Sequence, residues 1–262
     1  MPILQANDGC RLHYEVRGTG APVVLIPGLG GDGRFWDDVA RELEDGHRLI
    51  VVDHRGAGLS DRPAGPYTIE RIAADVLEVL DAEGCEQADL VGHSTGGAVV
   101  QTLALDAPAR CTKLLISASW CRPDARFRTL FGTRLALLER NEPEIYQSLT
   151  HIFGYGSEWL GLHENELTAA VLHAPTILAP LSVTAARVRM LLAFDRAVDL
   201  PRIQQPCLVM GSKEDILLPL YYSREIANAI PHAFLIECSG GHFYPRERPK
   251  EFAQATIKFL RS

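Results

Sequence analysis

Six nearly continuous apolar runs alternate along the chain with longer segments in which apolar residues recur every three or four positions. Strands that are apolar on both faces are typical of a parallel sheet covered by helices. The apolar runs lie at 22–28, 48–56, 88–94, 113–119, 206–212 and 233–240. The predicted helices lie at about 34–45, 68–83, 95–107, 220–230 and 246–261.

The first residues of the chain show a different pattern. Apolar and polar side chains alternate around Asn7-Asp8-Gly9, which predicts a β-hairpin ahead of the six runs. The hairpin and the six runs together predict an α/β fold with a mostly parallel eight-stranded sheet flanked by helices. Thr68 is expected to cap the helix that follows it.

One long segment interrupts the alternation of strands and helices. Between the sixth predicted strand and the run at 206–212 we find no strand pattern, but apolar residues at helical spacing, as at Phe127 and Phe131. A structureless loop of that length is improbable in a compact domain. We therefore predict a helical insertion over 122–198, which divides the core into 1–121 and 199–262. Because open sheets bind ligands at the carboxyl ends of their strands, we interpret the insertion as a lid, with a surface decoration as the alternative.

Composition narrows the classes of function. The 262 residues are 47% hydrophobic and carry a net charge of −7, with Lys and Arg scattered, so we expect no nucleic-acid partner. No apolar run approaches the ~20 residues of a membrane span, and we recognise no signal peptide, so we expect a cytoplasmic protein without a membrane partner. The six cysteines never occur at C-x-x-C spacing, which argues against a zinc site. We expect no other metal and no cofactor.

The stretch Gly92-His93-Ser94-Thr95-Gly96 matches the G-x-S-x-G pattern of a nucleophile elbow, between a predicted strand and a predicted helix. The turn is so sharp that side chains two positions before and after the serine would collide, and glycine removes that collision. The helix start also favours developing negative charge. We therefore interpret Ser94 as a nucleophile rather than as a structural turn residue.

A serine nucleophile needs a base, and His242 is the best candidate. It follows the last predicted strand, and the order Ser, acid, His is the order in which enzymes with this elbow carry a catalytic triad. His93 is expected to point away from the reaction centre and to pack. Other histidines are expected in loops or at the surface: His13, His47, His54 and His232. In the insertion, His151, His163 and His173 are expected to be exposed, with contact to substrate as the alternative.

The third member of the triad should follow the preceding strand, where "GSKEDILLP" offers two acids. Counting back from Pro219 favours Asp215, and counting on from Gly211 favours Glu214. We favour Asp215, beside apolar Ile216, as the carboxylate that orients the histidine. Asp124 is a distant third candidate.

Backbone N–H groups are expected to stabilise an oxyanion near Ser94. Thr95 is one candidate donor, and Leu29, in the glycine-rich "IPGLGGDGRFW", is the other. The alternative for this loop is a dinucleotide phosphate site formed by Gly28, Gly30 and Gly33. It is disfavoured because it leaves the Ser, Asp and His set unexplained.

With these residues the chain resembles the α/β-hydrolase superfamily. The motifs "PGLGG", "DHRGAGLSDRP", "GHSTGG", "GSKEDILLP" and "GGHF" occur in the family's order. At a finer level, "RFWDDVARELEDGHRLIVVDHRGAGLSDRP" and "YTIERIAADVLEVLD" are similar to small bacterial 3-oxoadipate enol-lactonases and aminoacrylate hydrolases. The resemblance implies a structural role for Asp53 to Gly56. Pro27 and the Ser94-Thr95 pair depart from most relatives, and "GHSTGG" is also similar to serine perhydrolases.

The hypothesis is hydrolysis of a small carboxylic ester or lactone through an acyl-enzyme on Ser94. The alternatives are a carbon–carbon bond hydrolase, a perhydrolase, and a ligand receptor that retains the triad with little turnover. A homodimer through the apolar residues of the insertion is compatible with the sequence. The predicted pocket residues are Gly28, Phe35, Trp36, Trp120 and Arg122, the last as a partner for a substrate carboxylate.

Overall fold

The computed structural model describes residues 3–262, and eight strands within that range form one sheet. The strands coincide with the predicted hairpin and the six apolar runs. They are β1 (Ile3–Gln5), β2 (Arg11–Arg17), β3 (Ala21–Ile26), β4 (His47–Val52), β5 (Ala88–His93), β6 (Cys111–Ser117), β7 (Cys207–Ser212) and β8 (Ala233–Cys238).

The strand order across the sheet is β1-β2-β4-β3-β5-β6-β7-β8. The two pairings of β2, with β1 and with β4, are antiparallel, and every later pairing is parallel. The predicted α/β class with a mostly parallel eight-stranded sheet is therefore confirmed. Since β3, β5, β6 and β7 lie side by side and point the same way, the residues that follow them meet at one edge of the sheet.

Helices cover both faces of the sheet. They are α1 (Asp37–Leu43), α2 (Ile69–Ala82), α3 (Thr95–Asp106), α10 (Tyr221–Ala229) and α12 (Pro249–Leu260), with the short α11 (Tyr244–Glu247) before the last. On one face, α2 and α3 pack against each other and share a core with α10. On the other face, α1 packs against α12. Among residues 3–262, no helix is both long enough and apolar enough to cross a bilayer.

Six helices lie between β6 and β7, in the segment where the sequence predicts an insertion. They are α4 (Ala125–Glu139), α5 (Pro143–Gly154), α6 (Ser157–Leu162), α7 (Glu164–Leu172), α8 (Ala174–Ile177) and α9 (Leu181–Ala193). The first and last, α4 and α9, pack against each other and join the core on the α3 face. Leu162 and Leu172 of α6 and α7 are exposed. The boundaries 122–198, the lid role and the homodimer stay predictions.

The last strand differs from the expectation of an apolar strand covered on both faces. β8 is an edge strand, with Phe234 60% and Ile236 40% exposed. Within the described range 3–262 it pairs with β7 alone, and α10 covers one of its faces. An apolar run cannot by itself distinguish a central strand from an edge strand, because both alternate side chains above and below the sheet.

Candidate active site

Ser94 stands at a strained turn between β5 and α3. Its backbone has φ 54° and ψ −113°, a conformation that side-chain-bearing residues rarely adopt. A Cβ added at Gly92 would lie 2.2 Å from the carbonyl oxygen of Gly96, and one added at Gly96 would lie 2.1 Å from that of Ile26. The two flanking glycines are therefore needed for this turn, as the sequence predicts.

The backbone around Ser94 is held by its neighbours on the sheet. Its N–H donates to the Ser117 carbonyl at 2.8 Å, and its own carbonyl accepts a 2.8 Å bond from the Ser119 hydroxyl. Ser94 is the N-cap residue of α3, so its side chain lies where the helix dipole favours negative charge. It is 7% exposed.

His242 and Asp215 form a buried pair at the carboxyl ends of β8 and β7. The His242 Nδ1 atom lies 2.7 Å from Asp215 Oδ2, and neither side chain is more than 1% exposed. The other carboxylate oxygen of Asp215 accepts a 2.8 Å bond from the Leu218 N–H. The carboxylate is thereby fixed from two sides and can hold one tautomer of the imidazole.

The structure also distinguishes among the three acids that the sequence offers as partners of His242. Glu214 is exposed, and its backbone N–H bonds Ser212 Oγ at 3.2 Å. Asp124 caps α4 by accepting from the Phe127 N–H at 2.8 Å, and it accepts a further bond from the Tyr222 hydroxyl at 2.5 Å. Of these acids, Asp215 is the one that contacts His242.

The glycine-rich loop after β3 lies directly against Ser94. A Cβ added at Gly28 would be 3.3 Å from the Cβ of Ser94, so the Gly28 backbone passes next to the serine. Leu29 follows it and is half-buried. Thr95 is the first residue of α3, so its N–H has no acceptor within the helix. The two candidate oxyanion donors thus sit in segments that meet at the serine.

His93 packs beneath the candidate site, as the sequence predicts. Its ring stacks on Phe35 at 4.8 Å between centroids and lies 4.8 Å from the ring of His242. Its Nδ1 is 3.0 Å from Ser117 Oγ, which is 2.6 Å from the Tyr244 hydroxyl. Burial, reinforced by the positive charge that His242 can carry, holds the pKa of His93 well below its usual value. His93 is therefore a neutral packing group.

The expectation of loop or surface positions is wrong for three other histidines, because His13 and His47 are buried in β2 and β4 and His151 is buried in α5. His54 is buried but lies in the loop after β4, and His232 is exposed. His13 Nδ1 lies 2.9 Å from Asp53 Oδ2, and Asp53 also accepts a bond from the Gly33 N–H at 2.6 Å. This pair braces the glycine-rich loop. Among residues 3–262 no group of three or more His, Cys, Asp or Glu side chains is arranged to hold a metal ion.

Two predicted pocket residues are fully buried in the core. Trp36 and Trp120 are 0% exposed and belong to the core. Trp36 packs on Phe252 at 5.6 Å, and Trp120 packs on Phe127 at 4.8 Å. Trp36 directly precedes α1 and Trp120 follows β6, and both indoles pack into the core rather than lining a pocket.

Of the three remaining predicted pocket residues, two lie at the candidate site and one does not. Gly28 and half-buried Phe35 lie at the candidate site, the first against Ser94 and the second on His93. Arg122 does not: its side chain is exposed and paired with Glu225 at 2.6 Å. Its guanidinium is therefore already bound by an acid of α10 at the surface, and the interpretation of Arg122 as a partner for a substrate carboxylate has no structural support.

Sequence reasoning missed two buried arginines of the insertion. Arg187 of α9 and Arg134 of α4 are both buried. A signal was present, since Arg187 stands between Val183 and Leu191 on the apolar face of its helix. A charged residue at a core position of a helix marks a buried charge that needs an explanation.

The comparisons with known proteins identify the class. Residues 23–255 match the model of the family described as "Alpha/beta hydrolase family". The chain therefore belongs to the α/β hydrolase family, and the prediction of a hydrolase is confirmed at the level of the class.

One relative and two solved structures show which hydrolases the chain is similar to. A protein of Caulobacter vibrioides with the name "Putative carbamate hydrolase RutD" is 38% identical over 255 residues, which cover 95% of each chain. A thermophilic esterase from Thermogutta terrifontis has a TM-score of 0.88 at 26% identity, covering 99% of this chain and 97% of its own. The enol-lactonase from Burkholderia xenovorans LB400 shares the fold, with a TM-score of 0.91 at 24% identity and 100% coverage of both chains.

Proposed function

We propose that the chain hydrolyses a small carboxylic ester or lactone through an acyl-enzyme on Ser94. His242 acts as the general base and acid, and Asp215 orients it. The backbone N–H groups of Leu29 and Thr95 stabilise the oxyanion. No cofactor takes part in this mechanism.

Acylation begins when the Ser94 hydroxyl oxygen attacks the carbonyl carbon and its proton passes to His242 Nε2. The Nδ1–H of the same ring donates to Asp215, which keeps Nε2 free to accept and stabilises the imidazolium. The carbonyl π electrons move to the oxygen, where the two N–H groups stabilise the negative charge. Collapse of this intermediate expels the alkoxide, which takes the proton from His242 and leaves as the alcohol.

Deacylation repeats these steps with water as the nucleophile. His242 Nε2 takes a proton from water, the hydroxide attacks the acyl carbon, and the oxyanion forms again. The Ser94–acyl bond then breaks, and the serine oxygen recovers its proton from His242. The products are a carboxylic acid and, for an acyclic ester, an alcohol; a lactone yields one hydroxy acid.

The observation that carries the proposal is the buried 2.7 Å contact between His242 Nδ1 and Asp215. A buried histidine and carboxylate at this distance form a pair that can act as an oriented base. The strained turn supports the proposal because it carries the candidate nucleophile Ser94, and the adjacent Gly28 loop supports it because it carries a candidate oxyanion donor. The esterase relative supports the choice of bond.

Hydrolysis of a carbamate is a second candidate. The relative named as a carbamate hydrolase is 38% identical over 95% of this chain. A carbamate carbonyl presents the same electrophilic carbon to Ser94, with nitrogen as the leaving atom. Release of ammonia or an amine, measured alongside acid release, separates this candidate from ester hydrolysis.

A pair of substitutions tests the proposal. Asp215→Asn should lower kcat/KM for p-nitrophenyl acetate by about 10³–10⁴-fold, because the histidine then loses its orienting carboxylate. The matched control is Glu214→Gln, which neutralises the exposed neighbouring acid and should change kcat/KM by less than about twofold. The measurement is release of p-nitrophenolate, followed by a panel of short esters, lactones and carbamates on the wild-type protein.

The outcomes are distinct. A large loss in Asp215→Asn with little change in Glu214→Gln supports the triad. A larger loss in Glu214→Gln, or equal losses in both variants, contradicts it. Wild-type protein that releases only about one equivalent of product and then stops would identify a receptor rather than an enzyme.

A further inference from the structure

The Glu247 carboxylate bonds two segments that are far apart in the sequence. Its Oε1 atom accepts a bond from the Gly241 N–H at 3.1 Å and another from the Gly156 N–H at 2.9 Å. Gly241 directly precedes His242 in the loop after β8, and Gly156 lies between α5 and α6 of the insertion. One acidic side chain therefore holds the insertion against the loop that carries the candidate base.

The two segments also contact each other directly. A Cβ added at Gly241 would lie 2.5 Å from the Gly156 nitrogen, so no side chain fits between them. The Phe243 N–H donates to the Gly154 carbonyl at 2.7 Å. Both chain neighbours of His242 are therefore fixed at this contact, the first through the carboxylate and the second through the end of α5.

Aromatic packing continues the contact into the candidate site. The ring of Tyr155 lies edge-on to Phe243, with 5.0 Å between centroids, and its hydroxyl accepts a 3.0 Å bond from Arg246 Nη1. The Phe243 ring in turn lies 5.4 Å from the ring of His242. Tyr155 is buried. The segment between α5 and α6 is therefore packed against the surroundings of the candidate base.

The backbone before His242 needs such support. It consists of Gly240 and Gly241, and glycine loses more conformational freedom on folding than any other residue. Gly240 has φ 104°, a conformation that residues with a side chain rarely adopt. Asp215 fixes the imidazole through Nδ1, but the place of the ring in the site also depends on this backbone. A displacement of about 1 Å can lower a rate by about 100-fold.

We propose that Glu247 is a positioning residue that orients His242 through the Gly241 backbone and couples that orientation to contact with the insertion. The inference rests on the proposed function and adds a means of regulating the same site. While the insertion contacts this loop, one carboxylate oxygen bonds both segments, and a charged acceptor makes these bonds stronger than neutral ones. When the insertion moves away, the bonds of Gly156 and Gly154 break, and the population of loops with a correctly placed base falls.

Substitutions of Glu247 test the proposal with p-nitrophenyl acetate. Glu247→Leu removes the acceptor at similar size, and Glu247→Asp keeps the charge but is too short to bond both N–H groups. Each should lower kcat per active site by about 10–100-fold with KM within about threefold, because acylation and deacylation both use the displaced base. Glu247→Gln retains an acceptor oxygen and should stay within about fivefold of the wild type. Active sites are counted by fluorophosphonate incorporation taken to completion.

A control variant and the thermal stability separate positioning from general bracing. Glu251→Leu replaces an acid of α12 that pairs with Arg248 at the surface, and should leave kcat within about twofold of the wild type. Tm is measured for every variant. Wild-type kcat per active site in Glu247→Leu and Glu247→Asp, with a lower Tm, would show that Glu247 only stabilises the fold and would overturn the proposal. If Glu247→Leu does not fold, the result for Glu247→Asp decides.

Amide hydrogen exchange, followed by mass spectrometry in the Ser94→Ala protein, provides a test that needs no turnover. Glu247→Leu, or Glu247→Asp in its place, should raise the exchange rate by about tenfold in two peptides, those that cover 154–157 and 240–243, because both N–H groups lose their acceptor. Glu251→Leu should change neither rate. Faster exchange in both peptides of a protein that hydrolyses no ester would refute the proposed function and retain the coupling through Glu247. Faster exchange in one peptide only, or in neither, would overturn the coupling.

Discussion

At the scale of single residues, Ser94 combines a strained backbone with the role of nucleophile that we propose for it. Its positive φ costs free energy that the surrounding structure must supply, and such residues cluster at functional sites. The bonds from Ser94 to Ser117 and Ser119 hold the conformation in place. The glycine spacing made the turn predictable, because no other residue type fits beside so sharp a bend.

Two buried histidines, His93 and His54, should make the free energy of unfolding depend on pH. Burial, aided by the neighbouring charges of His242 and Arg187 respectively, holds the pKa values of His93 and His54 well below the usual value. The unfolded chain therefore binds protons below a pH of about 6.5 that the folded chain does not. The free energy of unfolding should fall as the pH decreases from 7.5 to 5.5, by about 1 kcal/mol for each of these histidines.

Urea unfolding at the two pH values checks this prediction. His54→Gln should reduce the pH-dependent loss by about 1 kcal/mol, whatever it does to stability at pH 7.5. The control is His232→Gln at an exposed position, which should retain the wild-type loss. The same loss in His54→Gln as in the wild type would show that His54 is protonated in the folded chain.

At the scale of elements, the sequence predicts where the helices and strands lie better than it predicts how their side chains pack. Thr68 caps α2 by accepting from the Arg71 N–H at 3.0 Å, as expected. The sequence predicts Trp36 and Trp120 in the pocket, but the structure buries both in the core. The element carrying each tryptophan was predictable, but the direction in which its side chain packs depends on partners far along the chain, such as Phe252.

The contact between α2 and the loop after β4 depends on a buried ion pair. Arg55 binds Asp75 through two hydrogen bonds, and both side chains are buried. Asp75→Ala would leave Arg55 buried with only the half-exposed Asp8. Removing one partner of a buried pair costs about 3 kcal/mol or more, so the free energy of unfolding should fall by at least that amount.

A surface ion pair provides the matched comparison. Asp38 pairs with Arg41 where both side chains are more than half exposed, so Asp38→Ala should cost less than about 1 kcal/mol. Both variants are measured by urea unfolding at neutral pH. Losses of equal size would mean that the Arg55–Asp75 pair contributes no more than a solvated one.

At the scale of the whole molecule, the parallel sheet assembles the candidate site from distant parts of the chain. Gly28 follows β3, Ser94 follows β5, Asp215 follows β7 and His242 follows β8. The order and spacing of these residues predicted the set, because parallel strands bring their carboxyl ends to one edge. Arg187 was not predictable as part of this region, since its contact with Gly31 arises from the packing of the insertion.

Covalent labelling of the folded protein is the most direct test of Ser94 as the proposed nucleophile. The folded protein is incubated with a fluorophosphonate, and the mass of the intact chain and of its peptides is measured. We expect one phosphonyl group per chain, on the peptide that contains Ser94, with none in Ser94→Ala and wild-type labelling in Ser157→Ala, an exposed serine of α6. An adduct on another residue, or equal labelling of Ser94→Ala, would show that Ser94 is not the nucleophile.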